Sequence, residues 1–397
     1  MPIPTPFHDR TAALCISYKW ADWAGYCAVS SYSLPNDGEY YSLRHAAGII
    51  DISPLFKYEV SGPDAVAFMS RIMSKNVEDI PIGRAGYCCW CDDFGKIIDD
   101  GTVFRLDTDR LRVHTAEPML AWFVQFRRGF DVIVEDISAA IAAVAVQGPT
   151  SREILKQVTY ADLDALAYYG VISALLDNLP VLISRTGYTG DLGYELWVQN
   201  TNALPLWDAL MSAGKPYLLQ PIGLDVLDIA RIEAGLILNG VEFHNAAHCL
   251  IESQKSTPYE LGLGWTVDLD REPFCGQRAL KTDQAAGPQL ALVGLELDWD
   301  EQEALYAKHG LPVQVHPGAW RSGVPVYDSS GNRQIGKATS GAWSPLIKKN
   351  LALASVETPY ARTGTTLKIE YTVEYRRKTV TAVVATLPFY NPEHKRR

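Results

Sequence analysis

The sequence predicts a multi-domain α+β fold that ends in a small β-barrel, and three observations carry this prediction. A short strand that runs through a Gly-Pro turn into a helix occurs twice, at residues 58–60 with Ser61-Gly62-Pro63-Asp64 and at 142–146 with Gly148-Pro149-Thr150. Two similar α+β halves follow from that recurrence. Beyond a polar stretch holding Gly276, Gly287 and Pro288, the chain changes to short alternating strands separated by Gly and Pro turns, as in a barrel. Finally, no Gly-x-Gly-x-x-Gly follows a strand, so no dinucleotide-binding unit, and hence no flavin or NAD, is expected. The expected divisions are an aromatic-rich extension over 1–45, an α+β region over 46–285 and a barrel over 286–397.

In chain order, Tyr18, Trp20, Trp23, Tyr26, Tyr32, Tyr40 and Tyr41 crowd the first segment without a clear period and read as packing for a core or pocket wall. After the first Gly-Pro turn, Val66, Phe68, Met69, Ile72 and Met73 recur at helical spacing. The second turn leads into a helix through Ile154 and Leu155, capped by its Gly-Pro-Thr run. Arg231 and Glu233 fall on a helix after Pro221-Ile222-Gly223, where they form an internal ion pair or touch substrate. The barrel strands are read at 292–297, 323–327, 335–339, 366–375 and 379–386, with Lys348-Lys349-Asn350 capping a turn.

Composition narrows the function. With 47% apolar and 21% charged residues the chain is an ordinary globular protein, and a net charge of −10 argues against a nucleic-acid partner. No window suggests a membrane span, and MPIPTPFHDRT lacks the pattern of a leader, so a cytoplasmic location is expected. Seven cysteines, an odd number, fit reduced thiols. On a strand, Cys89 and Cys91 face one way and Cys88 the other, so no metal is expected there.

Chemistry concentrates in two motifs. In Gly95-Lys96-Ile97-Ile98-Asp99-Asp100 the strand-like alternation turns the two carboxylates to opposite faces, which excludes an acid dyad. Asp100 shares its face with Ile98, Thr102 and Phe104, an apolar row that leaves a carboxylate in need of a partner. About ninety residues on, Arg185-Thr186-Gly187-Tyr188-Thr189-Gly190-Asp191-Leu192-Gly193-Tyr194-Glu195 supplies a second carboxylate.

Those motifs, with GIIDISPLFKYEVSGPDA from Gly48, AVQGPTS from Ala145, ARIEAGL from Ala230 and TSGAWSPLIKKNLALASV from Thr339, resemble the glycine-cleavage T-protein family in order and spacing from about residue 45 onward. The resemblance implies an enzyme of tetrahydrofolate-dependent one-carbon transfer, with folate-binding α+β domains around a central cleft and a C-terminal barrel. It places Asp100 at the catalytic position, Glu195 on the pterin, and Tyr87, Tyr188 and Trp265 along the folate cleft.

Several positions depart from the family pattern. Pro54 stands where a histidine is usual, Leu227 where an arginine is common and Asn239 where a tyrosine is common, while the segment 241–253 is long and brings His244 and His248. Because these changes fall where the carbon donor should sit, Asn239, His244 and His248 are candidate substrate residues. They point to transfer of a methyl group from a small O-, N- or S-methylated donor to N5 of tetrahydrofolate. The alternatives are the aminomethyltransferase, which takes its carbon from a lipoyl carrier protein, and a folate-binding regulatory protein without chemistry; the presence of Asp100 argues against the last.

Overall fold

The computed structural model describes residues 1–396, and two facing sheets organise its larger part. One has five strands in the order Arg84–Cys91, Ile97–Arg105, Arg110–Thr115, Phe56–Ser61 and Ile133–Asp136, all antiparallel. The other runs Val171–Leu176, Leu179–Ser184, Gly193–Gln199, Ile141–Gln147, Gly48–Asp51 and Gln220–Pro221. Each carries helices on its outer face. Helix Ala65–Ile72 buries Ala65, Phe68, Met69 and Ile72, one stripe at helical spacing, against Trp90 and Val113 of the first sheet. Helices Ser151–Leu155 and Ala203–Gly214 pack Ile154, Leu155, Leu206 and Leu210 onto Val144 and Leu196 of the second.

The strand Ile141–Gln147 is buried throughout, as a run of IAAVAVQ requires when both faces of a sheet are covered. Between the two sheets a shared core holds Ile50, Ala85, Phe104, Ala145 and Trp197. The inner faces therefore meet, and the site lies at the rim of their contact.

A closed six-stranded barrel follows, in the order Leu290–Leu297, Lys349–Glu357, Gln334–Ser344, Val324–Tyr327, Thr366–Val373 and Arg376–Ala385. Its interior is filled by side chains such as Leu295, Val326, Ala354, Leu367 and Val380. The strand Lys349–Glu357, where the sequence predicts only a turn at its start, pairs with both long neighbours. At the other end, Ile3–Pro4, Tyr26–Ser31 and Lys19–Trp23 form a three-stranded sheet. Glu39 ties this part to the next, since one carboxylate oxygen accepts from the Tyr32 and Ser33 amides and the other from the Gly223 amide at 2.8 Å.

Three local expectations change. Thr150 occupies the helix N-cap, but its hydroxyl makes no capping bond. Arg231 does not pair with Glu233: it bonds Asp228 at 2.8 Å and Glu242 at 2.7 Å, while Glu233 takes Arg44. The strands Arg84–Cys91 and Ile97–Arg105 slip by one residue between Trp90 and Cys91. That bulge moves Ile98 to the outer core beside Trp90 and leaves Ile97 with Cys89 and Cys91.

Candidate functional site

The regular register up to Trp90 decides which carboxylate lies beside Tyr87. Cys89 pairs with Asp100 and Tyr87 with Thr102, so these four share one face of the sheet. Asp100 is partly buried and its Oδ2 accepts from the Tyr87 hydroxyl at 2.5 Å. Burial pushes the Asp100 carboxyl up to about 6, and the Tyr87 bond opposes the rise. The Tyr87 phenol is raised well above its ordinary value by burial and by the charge of Asp100, so it stays a donor. Asp99 turns the other way, as the alternation predicts. It accepts from Asn239 Nδ2 at 2.8 Å and from the Glu117 amide at 3.2 Å, and burial with the neighbouring Asp100 raises its carboxyl far above the usual range.

The second sheet supplies the opposite wall. Glu195 accepts from the Thr186 hydroxyl at 2.6 Å, and Thr186 lies 2.7 Å from the Ser184 hydroxyl. Among the described residues no cation pairs with it, and burial lifts its carboxyl to about 7. The loop 185–193 is held from below by Gln147, whose amide donates to the Thr186 carbonyl and accepts from Thr189. Gly187 and Gly193 lie so close to this side chain that a Cβ would sit 2.0 and 2.2 Å from Gln147 atoms. Tyr188 rides on that loop, donates its hydroxyl to the Ile237 carbonyl, and feels the charges of Asp100 and Glu242.

Tyr87 and Trp265 stack on each other, with ring centroids 5.8 Å apart and planes 22° off parallel. They form one aromatic wall rather than two walls with a gap between them. Trp265 is 61% exposed, with Lys75 Nζ over its ring at 5.9 Å.

The sequence-derived substrate candidates separate. Asn239 reaches the site through Asp99, and its buried Oδ1 has no hydrogen-bond partner among the described residues. His248 stands 3.7 Å from Glu117, which also accepts from Asn245 Nδ2 at 2.8 Å. His244 is exposed, and among the described residues no hydrogen bond or ion pair joins its ring to this group. The long segment thus docks on the strand end after Thr115 by Asn245 and His248, and Glu117 and Asn245 join the site without having been singled out in the sequence.

His114 was also missed. It completes a cross-strand row Tyr87, Thr102, His114, Lys57 on the inner face. Its ring centroid lies 3.8 Å from that of Trp197 and 4.4 Å from that of Phe104, burial depresses its pKa, and its Nε2 has no partner among the described residues. Lys57 follows in the row, donating to the Ser53 and Leu55 carbonyls at 2.7 Å on either side of Pro54; burial lowers its ammonium to about 8. A lone histidine inside an alternating strand gives no signal of which face it takes until the register is known.

The arrangement suits a flat heterocycle with hydrogen-bonding edges. Two carboxylates of adjustable charge, hydroxyl donors, a stacked aromatic wall and the unpartnered polar atoms of His114 and Asn239 are what a reduced pterin would need. Among the described residues no group of three or more His, Cys, Asp or Glu could hold a metal ion, and no helix is long and apolar enough to cross a membrane. Two surface recesses, about 340 and 680 Å³, lie elsewhere, beside Thr5 and beside Arg271.

Comparison with known proteins gives a consistent picture. Residues 8–271 match the GCVT N-terminal domain and residues 291–391 the glycine cleavage T-protein C-terminal barrel domain. An aminomethyltransferase of Streptomyces avermitilis is 36% identical over 97% of this chain and 98% of its own length, and one of Bacillus pumilus 34% identical over 89% of each. A trimethylamine-oxide aldolase of Ruegeria pomeroyi is 32% identical over 99% of this chain, which spans only 47% of that protein. The crystal structure of the glycine cleavage system aminomethyltransferase T from Bartonella henselae superposes with a TM-score of 0.83 at 24% identity, covering 98% of this chain and 99% of that one, and shows the same fold.

Proposed function

The chain belongs to the glycine-cleavage T-protein family of tetrahydrofolate-dependent one-carbon transferases, and from that premise we propose that it is an aminomethyl-type transferase in which Asp100 is the catalytic carboxylate. The observation that carries the reading is the pairing of Asp100, held by Tyr87 and tuned to about 6, with Glu195 at about 7 on the facing sheet.

Reduced folate supplies the nitrogens that accept the carbon. Glu195, with Thr186 behind it, binds the aminopyrimidine edge, and its charge is favoured once N–H donors replace water. Tyr188 and the Tyr87–Trp265 wall take the flat faces. Asp100 accepts a hydrogen bond from the reacting nitrogen and stabilises positive charge as the new C–N bond forms, in a site drier than bulk water. In the aminomethyl reaction the carbon leaves sulfur and nitrogen, and the two acceptor N–H protons end on the thiol and on ammonia. Most of the acceleration comes from placement.

The donor is a lipoyl carrier protein's aminomethyl group on this reading, supported by relatives named aminomethyltransferase that match along nearly the full chain. A second reading, a small N-methylated donor, has its own support. It rests on the trimethylamine-oxide aldolase relative and on Pro54, Leu227, Asn239 and the segment fastened by Asn245 and His248, which change the donor side while the folate residues stay.

Mass spectrometry of the folate product separates the two. Pure protein with tetrahydrofolate and aminomethyl-loaded carrier should release methylenetetrahydrofolate and ammonia. Product formed only from a panel of methylated amines would move the assignment to the second reading, and no folate product from any donor would defeat both.

A further inference from the structure

Resting on the folate site proposed above, we infer that segment 390–396 is a latch on the loop that carries Tyr188 and leads to Glu195, with His394 and Tyr390 as positioning residues. The grip is on Asp191, midway between those two site residues, whose side chain is fully buried. Its Oδ1 lies 2.6 Å from His394 Nε2 and accepts from the Leu192 amide at 2.8 Å. Its Oδ2 accepts from the Tyr390 hydroxyl at 2.9 Å and lies 3.5 Å from Arg44.

Tyr390 is itself fixed. Its amide donates to the Glu233 carbonyl at 2.8 Å, and Arg44 lies over its ring at 4.2 Å. A second grip acts at the start of the loop, where Arg185 Nη2 donates to the Lys395 carbonyl at 3.0 Å. The loop is therefore clasped twice from outside by one segment, while Gln147 supports it from inside.

His394 is 38% exposed at its side chain, so its removal opens no core cavity. Asp191 would keep Arg44, Tyr390 and the Leu192 amide, which holds its charge compensated. What is lost is a constraint on where the loop sits. A group that acts by preorganising a binding loop changes affinity for the ligand more than the chemical step.

The test compares His394→Leu with His394→Gln, which keeps an N–H donor. In the full chain without ligand, amides of residues 186–193 should exchange with solvent about tenfold faster in His394→Leu, the loss of one charge-assisted bond, and near the normal rate in His394→Gln. Tetrahydrofolate affinity, read by calorimetry, should fall about tenfold and recover in the same order, with kcat changed less than about twofold. If the leucine variant does not fold, Tyr390→Phe removes one hydroxyl from Asp191 and should show the same pattern at smaller size. Unchanged exchange across 186–193 in the folded variants overturns the latch, as does a fall in kcat at constant affinity. Failure of the unaltered protein to bind tetrahydrofolate instead defeats the folate reading, and the exchange data still decide the latch.

Discussion

Asp100 is held between two demands. Water exclusion raises its carboxyl to about 6, and the Tyr87 hydroxyl keeps it from rising further. Since the carboxylate is the form that accepts a proton bond, kcat/KM should climb with a midpoint near pH 6, and a second rise near 7 should report Glu195. Stability runs the other way. A carboxyl whose folded pKa exceeds its ordinary 3.8 binds the proton more tightly when folded, so its contribution is present below about pH 4 and is lost as pH rises toward 6. Asp100→Asn should therefore remove the lower step of the profile, cut turnover by roughly 10²–10⁴ and leave tetrahydrofolate binding in place. Glu195→Gln should remove the upper step and act mainly on folate affinity. Rate profiles of the two variants check both, and a lower step that survives in Asp100→Asn would assign it to another group. Tyr87→Phe makes the finer point, because without the hydroxyl the Asp100 midpoint should move upward.

At the scale of elements, the loop 185–193 shows how a motif becomes geometry. Gln147 is buried at the end of a central strand and fills the space that Gly187 and Gly193 leave open. Gly187→Ala would put a methyl 2.0 Å from Gln147 Oε1 and must displace that amide, which is the hydrogen-bond anchor for Thr186 and Thr189. The expected cost is about 1–3 kcal/mol of stability, read in urea, with a weaker tetrahydrofolate complex. A variant as stable and as tight as the parent would mean that the loop is not set by Gln147. Much of this level was legible in the sequence. The strand and helix of each Gly-Pro unit, the opposed faces of Asp99 and Asp100 and the barrel follow from local alternation and turn residues. What escaped depends on partners distant in sequence. Nothing local at Trp90 announces the bulge that sends Ile98 outward, nothing in VHTAE shows that His114 turns inward or that Glu117 receives Asn245, and Arg231 meets Glu242 because a turn brings it back. The aromatic wall likewise needs Tyr87 and Trp265 at one mouth, from strands and turns far apart in the chain.

For the whole molecule, one buried charge network joins what the elements build separately. Arg44, on helix Asp37–His45, bonds Glu233 through two nitrogens, with Nε at 3.0 Å, gives Nη1 to the Thr189 carbonyl and lies 3.5 Å from Asp191. Glu233 ends helix Leu224–Glu233 and also accepts from Tyr40 and from Ser344 of the barrel, each at 2.5 Å. The barrel, the loop 185–193 and helix Asp37–His45 are thus fastened at one point that water does not reach. Replacing Arg44 by Met keeps the bulk but strands Glu233 in a dry site and takes one partner from Asp191, so the loss should be about 3–5 kcal/mol rather than the value of a packing change. If the cause is stranded charge, adding Glu233→Gln to Arg44→Met should restore part of the stability, because the second change removes a liability that the first created. Urea unfolding of the parent, both single variants and the pair gives the coupling directly. Additive losses, with the double variant weaker than Arg44→Met, would show that Arg44 stabilises by packing and that the three parts are joined by something other than this charge pair.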